Sequence, residues 1–172
     1  MQHHIKQFLV MGCLALAVVQ PAAAAKAAPP WRLGPDGFGP LKIGMSFAQV
    51  RKRAPRLKAT PSNLRASSGC DQLALPGHPG VALMFVDDEL VRIDLFRSGP
   101  RTTRGVQAGD RVAQALQAYP RLSAEPNKYD ENERYLTARS GNGAIRFETD
   151  KGRIGKVYAG RWAQVQYVEG CL

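Results

Sequence analysis

The chain contains an internal repeat, and this repeat constrains the fold more than any other feature. The segment Gly44–Val50 is echoed by Gly109–Ala115, and the tripeptide Pro-Arg-Leu follows each copy, at Pro55–Leu57 and Pro120–Leu122. Both matches keep a separation of 65 residues. A repeat of this length indicates that one supersecondary unit occurs twice in the chain. It predicts an architecture and leaves the chemistry open.

Each copy of the repeat shows a short helix followed by strands. The first predicted helix begins at Ser46, a favourable N-cap residue, and ends at Ala54; the second runs from about Asp110 to Tyr119. Apolar and alternating runs predict antiparallel strands at 70–75, 81–86, 90–96, 134–139, 144–149, 153–158 and 162–168. The sequence therefore predicts an α+β fold of two tandem helix-plus-antiparallel-meander repeats, with the helices on one face of the sheet.

The first 25 residues have the pattern of an export signal. An apolar run from Phe8 to Val19 is too short to span a bilayer, and Ala22–Ala25 offers small residues for cleavage. The alternatives are a membrane anchor and a lipoprotein that uses Cys13. We predict a signal peptide at 1–25 and a single domain at 26–172. This domain holds two repeats, at about 34–98 and 102–172, and no transmembrane segment remains once the signal is removed.

Two cysteines, Cys70 and Cys171, remain after the predicted signal. Paired cysteines are typical of exported proteins, so we predict a disulfide between them. The bond would close a loop of about 100 residues, which the chain-entropy model values at roughly 4–5 kcal/mol. It would join the end of the chain to the first repeat. The alternative is two free buried thiols.

The chain is strongly basic, with a formal net charge of +10. This charge favours an acidic partner: a protein surface or an anionic polymer of the cell envelope. Export makes nucleic acid the least favoured partner, and we predict none. Part of the excess forms a basic patch on the first predicted helix and its exit, namely Arg51, Lys52, Arg53, Arg56 and Lys58. The alternative interpretation of this patch is a solvated helix face.

The helix start resembles that of a known superfamily. Met45, Ser46 and Val50 match the opening of the repeat in the beta-lactamase-inhibitor-protein-like and BamE (SmpA-OmlA) superfamily, and the following meander ends in a Val-Arg-Ile-Asp type strand. The resemblance covers residues 34–171. It implies an exported, non-catalytic protein that binds or assembles with a protein partner.

The residues themselves give little indication of catalysis. His78 is the one histidine outside the predicted signal and lies in a Pro/Gly turn, and no Gly-x-Ser-x-Gly elbow accompanies it. The acidic triplet Asp87–Glu89 has turn chemistry. Two cysteines and one histidine lack the spacing of a metal site, so we predict no metal and no cofactor. A small hydrolase of envelope polymers with paired carboxylates remains the alternative.

An open sheet face is the predicted binding site. Arg92, Asp94, Arg146 and Glu148 each alternate with apolar neighbours, so we expect them on one solvent-facing side. Trp162 joins them if the alternating set Ala163, Val165 and Tyr167 faces the helices. Arginine and aromatic side chains supply much of the binding energy in protein interfaces. The sequence thus predicts a periplasmic or secreted binding module, acting as an inhibitor or in envelope assembly. Ordinary cross-strand charge pairing is the alternative for these residues.

Overall fold

Short strands dominate the computed structural model, which describes residues 30–57 and 69–171. The predicted signal peptide and Lys58 lie outside these ranges. The strands are β1 Arg32–Gly34, β2 Gly37–Phe38, β3 Leu41–Lys42, β4 Cys70–Ala74, β5 Val81–Val86, β6 Glu89–Leu95, β7 Arg101–Thr102, β8 Ser123–Pro126, β9 Arg134–Ser140, β10 Gly143–Asp150 and β11 Arg153–Arg161. The helices are α1 Phe47–Arg53, α2 Val112–Ala118 and α3 Trp162–Val165.

The predicted fold class is wrong. Strands take 44% of the described residues and helices 14%, and the strands form two sheets rather than two helix-plus-meander repeats. The Pro- and Gly-rich segment 27–40, which the sequence predicts to be an extended lead-in without strands, contributes to three strands within residues 32–42 of a four-stranded sheet. The stretch 162–168, expected as a strand, begins instead with the single turn α3. Strands of two or three residues carry no periodic signal, which is why the sequence did not indicate the smaller sheet.

The larger sheet has seven antiparallel strands in the order β4-β5-β6-β11-β10-β9-β8. Its centre is the pair β6 and β11, where Ile93 lies opposite Ala159 and Leu95 opposite Val157. The smaller sheet has the order β3-β2-β1-β7, and only its β1–β7 pair is parallel. Strands from the early and late parts of the chain are therefore hydrogen-bonded to each other in the middle of the large sheet.

One face of the large sheet carries the hydrophobic core. Phe85 on β5 meets Phe47 of α1 edge to face at 5.4 Å between ring centroids. Phe147 on β10 packs against Tyr119, at the end of α2, at 5.0 Å. Phe85 and Phe147 are fully buried. The two seven-residue helices are too short to be stable alone, so this packing holds them in place.

The start of α1 follows directly from its sequence. The amide of Gln49 donates to Ser46 Oγ at 3.3 Å, and the Ser46 amide donates to Gln49 Oε1 at 2.9 Å. This reciprocal capping box satisfies two amides that the helix leaves free. At α2 the cap position is Arg111 rather than the expected Asp110, and its amide donates to Gln114 Oε1 at 2.9 Å.

The predicted disulfide between Cys70 and Cys171 is confirmed. Cys70 begins β4, at one edge of the large sheet, and the two Cα atoms lie 5.4 Å apart. The bond joins positions 101 residues apart, so it ties the end of the described chain to the first edge strand. In the described part of the chain, no helix is long and apolar enough to cross a bilayer.

Truncating the buried phenylalanines tests this core. Phe85→Ala and Phe147→Ala are each expected to lower the free energy of unfolding by about 3–5 kcal/mol, because each leaves a cavity in a closed core. Phe96→Ala is the matched control: Phe96 is 50% exposed, so its loss should cost less than about 1 kcal/mol. Urea denaturation of the oxidised protein measures all three; equal losses for Phe96 and Phe85 would contradict the described core.

Candidate binding surfaces

The second face of the large sheet carries a set of charged side chains. The register places Tyr158 of β11 opposite both Asp94 and Arg146, and it places Glu148 opposite Lys156. Arg92 lies two residues from Asp94 on the same strand and therefore on the same side. We call the following residues the charged face: Gln72, Arg92, Asp94, Arg146, Glu148, Lys156 and Tyr158. The prediction that Arg92, Asp94, Arg146 and Glu148 share one side is confirmed.

The expectation that this side is open to solvent is wrong. Arg92 and Asp94 are completely buried, Arg146 is 3% exposed, and Glu148 is half-buried. Residues 162–171, which we call the C-terminal strap, lie over the charged face. Alternation along a strand predicts the side of the sheet on which a residue lies, but it does not predict whether another segment covers that side. The predicted open face therefore gives no free docking surface at Arg92 or Asp94.

Arg92 joins the strap to the sheet. Its Nη1 donates to the carbonyl oxygens of Gln164 and Tyr167, at 2.9 and 2.7 Å. Its Nε donates to Asp94 Oδ2 at 3.1 Å, and its guanidinium lies 4.6 Å from the ring centroid of Tyr158. These contacts replace the water that burial removes from the guanidinium.

Asp94 is the anionic centre of the same group. Besides Arg92, it has Lys156 Nζ at 3.2 Å and accepts a hydrogen bond from Gln72 Nε2 at 3.1 Å. Two cations thus compensate one buried carboxylate, and the amide of Gln72 donates to its Oδ2 atom. Burial and the nearby carboxylate of Glu148 raise the pKa of Tyr158 above its usual range.

Arg146 forms a second, smaller group near the other edge of the sheet. Its Nε donates to Thr137 Oγ1 at 2.8 Å, and its Nη2 lies 3.2 Å from the exposed Glu125. Trp162, the remaining predicted binding residue, is half-buried and starts α3. The guanidinium of Arg139 lies 3.9 Å from the Trp162 ring centroid, at cation–π distance. Arg146 and Trp162 therefore have structural partners within the chain.

The predicted basic patch is exposed. Arg51, Lys52 and Arg53 form the last turn of α1, where cations interact favourably with the helix dipole, and Arg56 follows in the turn after it. All 14 acidic side chains of the protein lie within the described ranges, and none forms an ion pair with these four cations. Their charge is therefore uncompensated.

An aromatic stack that the sequence analysis missed lies beside the basic patch. The rings of Trp31 and His78 stack at 4.3 Å between centroids, and the edge of Phe38 packs against both. Burial lowers the pKa of His78, which favours its neutral form in the stack. The available signal was Trp31 itself, a large aromatic residue in the Pro- and Gly-rich segment 27–40.

Two open cavities flank this stack. One, of about 540 Å³, is lined by Pro30, Trp31, Phe38, Gly77, His78, Pro79, Ser98, Gly99 and Pro100. The other, of about 300 Å³, is lined by Trp31, Arg53, Ala54, Pro55, Arg56, Leu75, Pro76, Gly77 and His78. They share Trp31, Gly77 and His78, and we call them together the aromatic groove. Arg53 and Arg56 thus belong both to the basic patch and to the wall of the groove.

The acidic triplet serves the turn between β5 and β6. Asp87 and Asp88 have positive φ values of 48° and 67°, which Asp tolerates better than most residues. The carbonyl of Asp88 accepts the Phe47 amide at 3.0 Å, and Glu89 forms an ion pair with Arg161. No cluster of three or more metal-ligating side chains occurs within residues 30–57 and 69–171.

Comparison with known proteins adds little to this picture. No family model matches the chain, and no curated protein matches it. Among solved structures, it is similar to an extracellular protein containing an SCP domain from Bacillus anthracis str. Ames, with 9% identity and a TM-score of 0.48. The match covers 70% of this chain and 44% of that one, and at this level it supports no inference about function.

Removing the acid at the centre of the charged face tests its energetics. Asp94→Ala is expected to lower the free energy of unfolding by about 3–5 kcal/mol, because it leaves the buried charge of Arg92 without its partner. Glu169→Ala is the control: it removes an exposed ion pair with Lys128 and should cost about 1 kcal/mol or less. Chemical denaturation compares the two; a cost for Asp94→Ala no larger than the control's would show that Asp94 is solvated.

Proposed function

We propose that this protein is an exported, non-catalytic binding module that recognises an acidic protein partner. Its binding site is the surface formed by the aromatic groove and the four exposed cations Arg51, Lys52, Arg53 and Arg56. The observation that carries the proposal is their adjacency: uncompensated positive charge borders cavities whose shared wall is the Trp31–His78 stack. By contrast, Arg92, Arg146 and Trp162 have contact partners within the described part of the chain.

The chemistry of this surface suits protein recognition. Tryptophan and arginine are over-represented among the residues that dominate interface energies, and both occur here around a preformed concavity. A cluster of four cations also raises the rate of encounter with an acidic partner and sets its orientation. The charge supplies attraction and orientation, and the groove supplies shape.

Export is supported by the disulfide and by the leader-like pattern of residues 1–25. Disulfides persist in oxidising compartments and are rare in reducing ones, so the bond between Cys70 and Cys171 favours the periplasm or the medium. The resemblance of Gly44–Val50 to the beta-lactamase-inhibitor-protein-like and BamE superfamily favours an inhibitor or envelope-assembly role. We propose both on these grounds.

Passive binding of an anionic envelope polymer is the second candidate function, and the exposure of the same four cations favours it. The two functions differ in their need for the groove. A flexible polyanion requires charge alone, whereas a folded acidic partner also contacts the groove wall. The alternative of a paired-carboxylate hydrolase gains no support from the acidic triplet, because the Glu89 carboxylate forms an ion pair with Arg161 and Asp87 and Asp88 form the turn between β5 and β6.

Charge reversal with a matched control tests the proposed site. The tripeptide Pro-Arg-Leu occurs twice, and Arg56 and Arg121 are both exposed in it, but only Arg56 lines the aromatic groove. Arg56→Glu should weaken binding of the partner about tenfold or more, and Arg121→Glu, with the same charge change, should leave it within about twofold. Affinity is measured with a partner captured from envelope extract and then purified.

Two further measurements distinguish the contribution of the groove to binding from the contribution of the charge. His78→Ala should weaken binding of the protein partner while leaving retention on polyglutamate unchanged, because it alters the groove wall and no net charge. Retention on polyglutamate should fall steeply with salt, since exposed charges are screened within about 8 Å at physiological ionic strength. Equal effects of Arg56→Glu and Arg121→Glu would contradict the proposed site. Loss from Arg56→Glu with none from His78→Ala would instead establish the polymer-binding function.

A further inference from the structure

The C-terminal strap, residues 162–171, lies on the charged face with few attachments of its own backbone. In the described part of the chain, its one regular backbone hydrogen bond to a neighbouring element joins the Trp162 amide to the Asn142 carbonyl at 2.9 Å. The amides of Gln166 and Tyr167 donate within the strap, to Ala163 and Gln164. The strap is therefore neither a strand of the sheet nor a long helix packed on it.

Four kinds of contact hold the strap down, one of which is the cation–π contact of Trp162 with Arg139. Val165 is fully buried in a small apolar cluster with Ala144 and Tyr158, which Trp162 partly covers. Arg92 donates to two strap carbonyls. Lys128 and Glu169 form an ion pair with half-exposed side chains, which stabilises only weakly because water screens it. Beyond these contacts, the disulfide fixes the end of the strap to β4.

The disulfide is accessible from solvent. Cys70 and Cys171 are both half-buried and line an open cavity of about 450 Å³, together with Lys128, Gln166, Tyr167, Val168, Glu169 and Gly170. A protein dithiol can therefore approach the bond without unfolding of the sheet. Access is one of the factors that determine the rate of thiol–disulfide exchange.

The way the strap is bound shows what the charged face can bind. On this face, the Arg92 guanidinium donates to backbone carbonyls of the strap. Ala144 and Tyr158 form an apolar contact surface for a branched side chain. The strap fills it with one helical turn that carries an aromatic residue, Trp162, and three residues later a branched aliphatic, Val165. A foreign peptide with this pattern would make the same contacts, because carbonyls are common to every polypeptide.

We propose that the charged face is a second polypeptide-binding site, which the C-terminal strap occupies while the disulfide is intact and which opens on reduction. A thiolate of a protein dithiol attacks the sulfur of Cys171, forms a mixed disulfide and displaces Cys70 as a thiolate. The second thiol of the reductant then attacks the mixed disulfide and releases Cys171. The reductant leaves oxidised, and the chain gains two thiols. This site is independent of the aromatic groove.

Hydrogen exchange before and after reduction tests the release of the strap. We expect amides of residues 165–170 to exchange at least tenfold faster in the reduced protein, while those of β10 and β11 keep their rates. Lys128→Ala in the oxidised protein is the control and should change neither set, because the disulfide still holds the strap. Unchanged strap exchange overturns the proposal. So does equal acceleration of the strap and the sheet, because that pattern means global destabilisation.

Binding of the strap's own sequence tests the site beneath it. The probe is a labelled peptide with the sequence of residues 161–170, and the host is full-length Val165→Asp protein, reduced and alkylated, in which a buried carboxylate disfavours strap docking. Ala163→Asp is the matched control, because Ala163 is an exposed residue of the same helix. We expect at least tenfold tighter binding to Val165→Asp than to reduced Ala163→Asp or to either oxidised protein. Equal binding to all of them, or none to reduced Val165→Asp, overturns the proposal.

Discussion

The buried ion pair of Arg92 and Asp94 determines how the second face of the large sheet can be used. Removing two charges from water costs several kcal/mol for each ion, and mutual attraction offsets this only when the remaining hydrogen-bonding groups are satisfied. Asp94 forms an ion pair with Lys156 and accepts a hydrogen bond from Gln72. Arg92 donates to the carbonyl oxygens of Gln164 and Tyr167. The strap is therefore part of what makes burial of Arg92 tolerable, and the disulfide is what keeps the strap in reach.

Because this face is covered, the candidate binding site lies instead on the exposed cations of α1 and the aromatic groove. The four cations of α1 and its exit turn have no acidic partner, and the Trp31–His78 stack forms a wall beside them. Arginine therefore has two roles in this chain, one within the fold and one at the surface. Arg92 and Arg146 are held by the fold, whereas Arg53 and Arg56 face solvent at the rim of a groove.

Sequence reasoning succeeded where a local rule decides the outcome. Export chemistry paired Cys70 with Cys171, the capping rule placed Ser46 at the start of α1, and alternation placed Arg92 and Asp94 on one side of a strand. It failed where distant segments decide. Alternation cannot show that residues 162–171 cover that side, and no periodic signal exists in strands as short as those of the smaller sheet. Trp31 and His78 lie 47 residues apart in sequence, so their stack is visible only in three dimensions.

Arginine-selective labelling tests the central claim that the sheet face is covered and the α1 face is free. The oxidised protein is treated briefly with phenylglyoxal, and modification is read site by site by mass spectrometry. Arg51, Arg53 and Arg56 should react at rates close to that of an unfolded peptide, while Arg92 and Arg146 remain largely unmodified because burial excludes the reagent. Rapid modification of Arg92 in the oxidised protein would contradict the covered face, and protection of Arg53 and Arg56 would contradict the free one.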